Sequence, residues 1–107
     1  MILETFFERM REGDAKGISD LFAEDGLFDD TAGVPYGFHP LVEKGRKAIF
    51  EMFSKAYENG GFDSIPIRVN DYSMDYDIVV AGVNINSHAS VTLDEQGLIT
   101  ELTIRRR

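Results

Sequence analysis

Apolar residues in the first half of the chain recur every three or four positions, which is the spacing of the buried face of an α-helix. In the first predicted helix this face consists of Ile2, Leu3, Phe6, Phe7 and Met10. Gly13 ends that helix, and Asp14 can cap a second helix that reaches residues 24–26. A third helix is predicted from about residue 45 to residue 57, with a stop at residues 59–61. The pattern therefore predicts three amphipathic helices in this half of the chain.

The second half of the chain is rich in Val, Ile and Thr and alternates in places between apolar and polar positions, which is typical of β-strands. Four long strands are predicted, at residues 64–72, 77–86, 88–94 and 98–105. Turns between them are expected at residues 73–75, 86–87 and 94–97. The pattern therefore predicts an antiparallel meander.

A short extra strand is predicted at residues 27–30, between the second and third helices. Residues 31–42 contain two Gly and two Pro, which predicts a loop with a short strand near residues 34–38. Helices followed by a mostly antiparallel sheet define an α+β fold.

Three helices can cover only one face of such a sheet, and a twisted sheet wrapped around a long helix forms a cone with an open end. We therefore expect residues 1–107 to form a single domain, a conical barrel of three N-terminal helices packed on a curved, mostly antiparallel sheet. The uncovered face is expected to keep apolar strand residues and to pair with a second copy, which predicts a homodimer through the sheet.

Charge and composition narrow the possible functions. The 107 residues include 11 Lys and Arg against 19 Asp and Glu, a net charge of −8, which argues against binding to nucleic acid. No apolar run approaches the roughly 18–20 residues that span a bilayer, so no membrane partner is expected. The absence of Cys excludes disulfides and thiolate chemistry and fits a cytoplasmic location. No metal-ligand motif and no phosphate-binding loop occurs, so neither a metal nor a cofactor is expected.

Three segments carry a resemblance to a known family. They are FFERMREGD at residues 6–14, ISDLFAEDGLFDD at residues 18–30 and KGRKAIF at residues 44–50. Together they resemble SnoaL-like proteins of the nuclear transport factor 2-like superfamily, which includes ketosteroid isomerases, polyketide cyclases and scytalone dehydratase as well as non-catalytic modules. The resemblance implies a conical α+β barrel that is usually dimeric, with a pocket at its open end.

Asp30 is the main candidate for chemistry. It follows the apolar pair Leu27–Phe28 and precedes the loop, so it is expected at the rim of the pocket. Removal from water raises the pKa of a carboxyl group toward the range useful for proton abstraction. The resemblance implies that isomerases of the family place their general base at the position of Asp30. In the alternative interpretation, Asp29 and Asp30 bond to loop amides and form a turn.

The rest of the isomerase machinery is not present. Ketosteroid isomerases hold the substrate oxygen with a tyrosine and a protonated aspartic acid, and the matching positions here are Phe6 and Ala89, which cannot donate. Tyr36, Tyr57 or Tyr72 could substitute as the donor.

His88 is a second candidate for catalysis. Scytalone dehydratase is similar in pairing a pocket Asp with a strand His, and this resemblance implies that Asp30 and His88 could form a proton-transfer pair. Strand alternation gives the opposite expectation: if Ala89 faces the pocket, His88 faces a partner or solvent.

The pocket wall is expected to be largely aromatic, with His39 in a loop that folds over its mouth. The predicted wall residues are Phe6, Met10, Phe22, Phe28, His39, Phe53, Tyr57 and Ala89. Such a pocket suits a small apolar molecule. Two functions follow from it: an isomerase-, cyclase- or dehydratase-type enzyme that uses Asp30 as a base on an apolar carbonyl compound, or a non-catalytic module that binds a ligand or dimerises.

Overall fold

The computed structural model describes residues 1–58 and 60–107, and the three helices lie in the N-terminal half. They are α1 (Ile2–Glu12), α2 (Ala15–Ser19) and α3 (Arg46–Ala56). The predicted stop of the third helix at residues 59–61 includes Asn59, which lies outside the described residues. None of the helices in the described part of the chain is long and apolar enough to cross a membrane.

Six strands form one sheet in the order β2-β1-β6-β5-β4-β3. They are β1 (Phe22–Asp30), β2 (Leu41–Lys44), β3 (Ser64–Val69), β4 (Ser73–Val80), β5 (Val83–Leu93) and β6 (Ile99–Arg106). All neighbouring strands are antiparallel except β1 and β6, which are parallel. The predicted α+β fold, with three N-terminal helices and a mostly antiparallel sheet, is confirmed.

The start of the chain folds as its apolar spacing predicts. Leu3, Phe6, Phe7 and Met10 are buried on one side of α1. Gly13 then adopts a left-handed conformation (φ 71°), which glycine adopts without steric cost, and closes the helix. The Asp14 carboxylate accepts a hydrogen bond from the backbone N–H of residue 17 at 2.8 Å and begins α2.

The second helix is shorter than predicted. It ends at Ser19, and the residues after it begin β1. The backbone N–H of Ile99 donates to the Leu21 carbonyl at 2.8 Å, and Phe22 pairs with Ile99 in the parallel ladder. Pairing with β6 therefore extends the strand back from residue 27 to residue 22, which helical spacing alone does not indicate.

Two predicted turns are wrong. Residues 86–87 lie inside β5, and the hairpin turn is at Ala81 and Gly82, both with positive φ (50° and 79°). Positive φ at two consecutive residues is the conformation of a tight type I′ hairpin turn. Residues 73–75 begin β4, and the preceding turn is closed by the Asn70 N–H, which donates to the Ser73 carbonyl at 2.8 Å.

The loop after β1 also differs from the prediction. Residues 34–38 are not a strand, since Val34–Tyr36 form a 3₁₀ turn that ends at Gly37. The missed strand is β2, which pairs with the end of β1 so that Leu41 lies opposite Asp30. A four-residue strand next to two prolines carries too little alternation to be recognised from sequence.

The uncovered face of the sheet, here called the outer face, is largely polar, and it also exposes the apolar side chains of Ile65 and Val79. Its cross-strand pairs include His88 Nδ1 with Asp75 Oδ1 at 2.5 Å and Arg107 Nη2 with Asp77 Oδ1 at 2.6 Å. Strand alternation explains its largely polar character, because most apolar residues of β4 and β5 point toward the helices and their polar neighbours point away.

Candidate functional site

A cavity of about 690 Å³ lies between helices α1 and α3 and the inner face of the sheet. Most of its wall is apolar or aromatic, with contributions from α1, β1, α3, β4, β5 and the loop after β1. Five lining residues are exposed, so the cavity reaches solvent beside them: His39, Leu41, Glu51, Lys55 and Ala56. Cavities of this size and character commonly bind small molecules.

Aromatic rings form the inner wall of this cavity. The Phe28 ring lies 6.3 Å from Phe6 and 5.1 Å from Phe53, measured between ring centroids. The Phe53 ring in turn stacks on Tyr57 at 5.5 Å. Edge-to-face and offset contacts of this kind hold the rings in fixed orientations. The inner wall is therefore formed by aromatic rings that pack against one another.

Asp30 lines the cavity because of its register in the sheet. It pairs with Leu41 on one side and Ile104 on the other, and both of these residues also line the cavity. Its Oδ1 accepts a hydrogen bond from the Ala32 backbone N–H at 2.9 Å. Within the described residues, no hydrogen bond reaches its Oδ2. One carboxylate oxygen thus fixes the loop, as the alternative interpretation predicted, and the other is free to act on a ligand.

Burial raises the pKa of Asp30 above its usual value, and the negative charge of Asp29 raises it further. The Ala32 N–H and the Arg105 guanidinium act in the opposite direction and do not outweigh burial. A carboxylate in this setting is a stronger base than one in water.

Three hydroxyl groups share the cavity with Asp30. Burial raises the pKa of Tyr57 and, together with the charge of Asp30, that of Tyr76, so both phenols stay protonated. The hydroxyl oxygens of Tyr57 and Ser87 are buried with no hydrogen-bond partner among the described residues. Ser87 is close enough to Tyr76 to oppose the rise in its pKa, although the two hydroxyls do not meet hydrogen-bond geometry.

Several residues predicted for the pocket lie in the cavity wall. They are Phe6, Met10, Phe28, Asp30, His39, Phe53 and Tyr57. The structure brings them together from three separate elements and a loop.

The other predicted site residues lie elsewhere. Phe22 and Ala89 are fully buried in the core and do not border the cavity. Tyr36 lies in the 3₁₀ turn, is 38% exposed and does not line the cavity. His88 lies on the outer face, paired with Asp75. The predicted pairing of His88 with Asp30 is therefore wrong, because the alternation of side chains along β5 places His88 on the face away from the cavity.

Several polar residues of the cavity were not predicted, among them Tyr76 and Ser87. These two face each other directly across β4 and β5. The signal that could have found them is the alternation that puts residues 85, 87 and 89 on one buried face. Placing a turn at residues 86–87 concealed that pattern.

The described residues contain no group of three or more His, Asp or Glu side chains that could hold a metal ion. Away from the mouth, the polar groups of the cavity are the Asp30 carboxylate and the hydroxyls of Tyr57, Tyr76 and Ser87, in a largely apolar wall.

The chain is thus a small α+β protein with a cavity large enough for a small ligand. Comparison with known proteins identifies its family. The profile of the SnoaL-like domain matches residues 3–102, and the chain belongs to this family. Its fold is that of nuclear transport factor 2-like and ketosteroid isomerase-like proteins. The sequence matches none of the curated proteins with which it was compared.

Solved structures from several organisms share the fold. A candidate polyketide cyclase from Sinorhizobium meliloti is 19% identical with a TM-score of 0.73, over 97% of this chain and 93% of that chain. A ketosteroid isomerase-like protein from Catenulispora acidiphila, in complex with trimethylamine, is 15% identical with a TM-score of 0.70, over 96% and 82%. The Orange Carotenoid Protein of Anabaena (Nostoc), binding canthaxanthin, is 19% identical with a TM-score of 0.61, over 98% of this chain and 35% of that one. At these identities the likeness establishes the fold and not the activity.

Proposed function

We propose that this protein binds a small, uncharged apolar carbonyl compound in the cavity and that Asp30 removes a proton from the carbon next to the carbonyl group. The observation that carries the proposal is the position of Asp30, whose carboxylate has one oxygen without a hydrogen-bond partner among the described residues, in a largely apolar wall. An apolar body fits the aromatic wall, and a base with a raised pKa suits a weakly acidic C–H bond.

The proposed step conserves atoms and electrons without a further reagent. The proton moves from carbon to Asp30 Oδ2, the C–H electron pair becomes the new C=C bond, and the carbonyl π pair moves to the oxygen. Return of the proton to the same carbon gives exchange, and return to another carbon gives isomerisation. This chemistry is common to the isomerase, cyclase and dehydratase types.

Two of the solved relatives support ligand binding. One solved relative was determined with trimethylamine and another with canthaxanthin, so proteins of this fold accept small organic molecules. A relative described as a candidate polyketide cyclase supports action on carbonyl compounds.

A direct test is hydrogen–deuterium exchange of 2-tetralone, a two-ring ketone with acidic C–H bonds next to its carbonyl. The exchange is followed by proton NMR in D₂O, with and without protein. We expect Asp30→Asn to lower the protein-dependent rate about 10²–10⁴-fold, as is typical for loss of a general base. The matched control is Asp29→Asn, since Asp29 is paired with Arg105 outside the cavity. Equal rates for the wild type and Asp30→Asn would overturn the catalytic proposal.

A second candidate function is non-catalytic ligand binding. It is favoured by the side chains at the two positions where ketosteroid isomerases carry their donors, Phe6 and Ala89, neither of which can donate. In that case 2-tetralone binds in the cavity while its exchange stays at the rate of buffer alone.

We further propose that two copies associate through the outer face of the sheet. This face exposes the apolar side chains of Ile65 (65%) and Val79 (50%). It also carries acidic side chains paired with basic ones, so its charges can be complementary to those of a second copy. Light scattering at micromolar concentration should give twice the 12.0 kDa of one chain. A single species of 12.0 kDa would contradict this proposal.

A further inference from the structure

We propose that the hydroxyl groups of Tyr57 and Ser87 form a subsite that binds the oxygen atom of the cavity's ligand. The subsite rests on the proposed function, because it assumes that an apolar carbonyl compound enters the cavity. It assigns the hydrogen-bond donors that Phe6 and Ala89 cannot supply.

The first argument is that both hydroxyls are buried without a partner. Tyr57 is 8% exposed and Ser87 is fully buried, and neither hydroxyl oxygen has a hydrogen-bond partner in the described part of the chain. Buried polar groups in folded proteins nearly always have partners, since a lost bond to water must be replaced. Both residues line the cavity, so a ligand atom there can supply the missing partner.

The second argument is that the two hydroxyls reach the cavity from different elements. Tyr57 is the C-terminal cap of α3, and its ring is held between Phe53 at 5.5 Å and Phe62 at 5.6 Å. Ser87 lies in the middle of β5, opposite Tyr76. A helix and a sheet thus each contribute one hydroxyl-bearing residue to the lining of the same cavity.

The third argument places this subsite near Asp30. Asp30 pairs with Ile104 of β6, and Ile104 pairs with Ala89 of β5. Ser87 is the next inward-facing residue of β5 and pairs with Tyr76, which also lines the cavity. The base and the proposed donors belong to one polar region of the cavity.

The chemistry of this region selects the class of ligand. Protonated hydroxyls donate to a neutral oxygen, and a buried carboxylate disfavours an anionic ligand. The lysine of the cavity wall, Lys55, is exposed at the mouth and so does not offer a buried cation. The ligand is thus an uncharged apolar molecule with one oxygen acceptor. When Asp30 takes the proton, charge accumulates on that oxygen, and the same hydrogen bonds become stronger.

The test compares two probes that differ only in the oxygen: 2-tetralone and its hydrocarbon analogue tetralin. Dissociation constants are measured by ligand-observed NMR titration. We expect Tyr57→Phe and Ser87→Ala each to weaken 2-tetralone binding roughly 2- to 10-fold, the worth of one hydrogen bond, and to leave tetralin binding unchanged. Unchanged tetralin binding also shows that the variant cavity is intact.

Two control variants remove a hydroxyl outside the cavity. Tyr72 is 62% exposed, and Ser90 lies on the outer face of β5, paired with Ser73 and Thr103. Tyr72→Phe and Ser90→Ala should leave the binding of both probes unchanged.

Three outcomes overturn the subsite: no loss of 2-tetralone affinity in either variant, an equal loss for both probes, or no binding of 2-tetralone to the wild type at millimolar concentration. Exchange kinetics separate this proposal from the proposed function. If Asp30→Asn retains the exchange rate while Tyr57→Phe and Ser87→Ala selectively lose the ketone, the subsite stands and the catalytic role of Asp30 fails. If Asp30→Asn loses exchange while Tyr57→Phe and Ser87→Ala keep the affinity for 2-tetralone, the catalytic role of Asp30 stands and the subsite fails.

Discussion

Asp29 and Asp30 are consecutive residues of β1, and their carboxylates lie on opposite faces of the sheet. Asp29 Oδ2 is 2.9 Å from Arg105 Nη2 on the outer face. Asp30 lines the cavity and accepts the Ala32 N–H. The alternation of side chains along the strand places the two carboxylates on opposite faces. Two identical side chains therefore lie in different environments, one paired with a guanidinium group and the other in a largely apolar cavity. Substitution of Asp29 is therefore the matched control for substitution of Asp30 in experiments on the cavity carboxylate.

The first prediction concerns the titration of individual carboxyl groups. We expect the pKa of Asp30 to lie above 3.8, because burial disfavours its charged form. We expect the pKa of Asp75 to lie below 3.8, because the hydrogen bond from His88 favours its charged form. Carboxyl carbon chemical shifts measured by NMR from pH 2 to pH 8 give both midpoints. Coincident midpoints for Asp30 and Asp75 would contradict the structure.

The second prediction concerns the free energy of unfolding. Since the pKa of Asp30 is higher in the folded state, the folded protein binds more protons between the unfolded and folded pKa values, and stability falls as the pH rises through that window. Asp30→Asn keeps the oxygen that accepts the Ala32 N–H and removes the buried charge. This variant should be more stable than the wild type at pH 7, and the difference should vanish below pH 3.8.

Asp75→Asn is the control of opposite sign. Because the folded pKa of Asp75 is lowered, its contribution to stability is present at pH 7 and is lost as the pH falls through the folded value. Urea denaturation at a series of pH values measures both variants. Destabilisation by Asp30→Asn at neutral pH would show that this carboxylate is not in the low-dielectric site described.

The third prediction concerns the aromatic wall. Phe53 is 6% exposed and contacts the rings of Phe6, Phe28 and Tyr57. Phe53→Ala should lower the free energy of unfolding by about 3–5 kcal/mol, the usual cost of truncating a buried Phe. Phe50, one turn earlier on α3, is 38% exposed and makes the matched control. Its replacement by Ala should cost clearly less. Equal losses in urea denaturation would mean that Phe53 does not anchor the wall.

Much of the fold could be predicted because local signals and tertiary packing agree. The apolar spacing of α1, the glycine at residue 13 and the cap at Asp14 each specify the same helix boundary. The chain beyond residue 64 carries enough Val, Ile and Thr to be recognised as strands, although the strand predicted at residues 77–86 spans the actual turn at Ala81 and Gly82. The errors fall where a local signal depends on a distant partner. Residues 22–26 become a strand through pairing with β6, and residues 41–44 through pairing with β1.

The candidate site was only partly predictable for the same reason. Asp30 was found because its position between an apolar pair and a loop is a local feature. Ser87 was missed because the turn predicted at residues 86–87 removed it from the strand and so from the buried face that it shares with Ala89. The alternation of side chains predicts that His88 faces away from the pocket if Ala89 faces inward. The structure shows His88 on the outer face, bonded to Asp75.

The fourth prediction follows from that position of His88. Its ring is separated from the cavity by the thickness of the sheet, and it makes a half-exposed contact with Asp75 at 2.5 Å. His88→Ala should therefore leave the exchange rate of 2-tetralone within about twofold of the wild type, while it raises the pKa of Asp75 toward 3.8 by removing the bond that lowers it. NMR follows the exchange and the Asp75 titration on the same sample. A loss of exchange as large as that expected for Asp30→Asn would place His88 in the proton path, which requires a different alternation of β5.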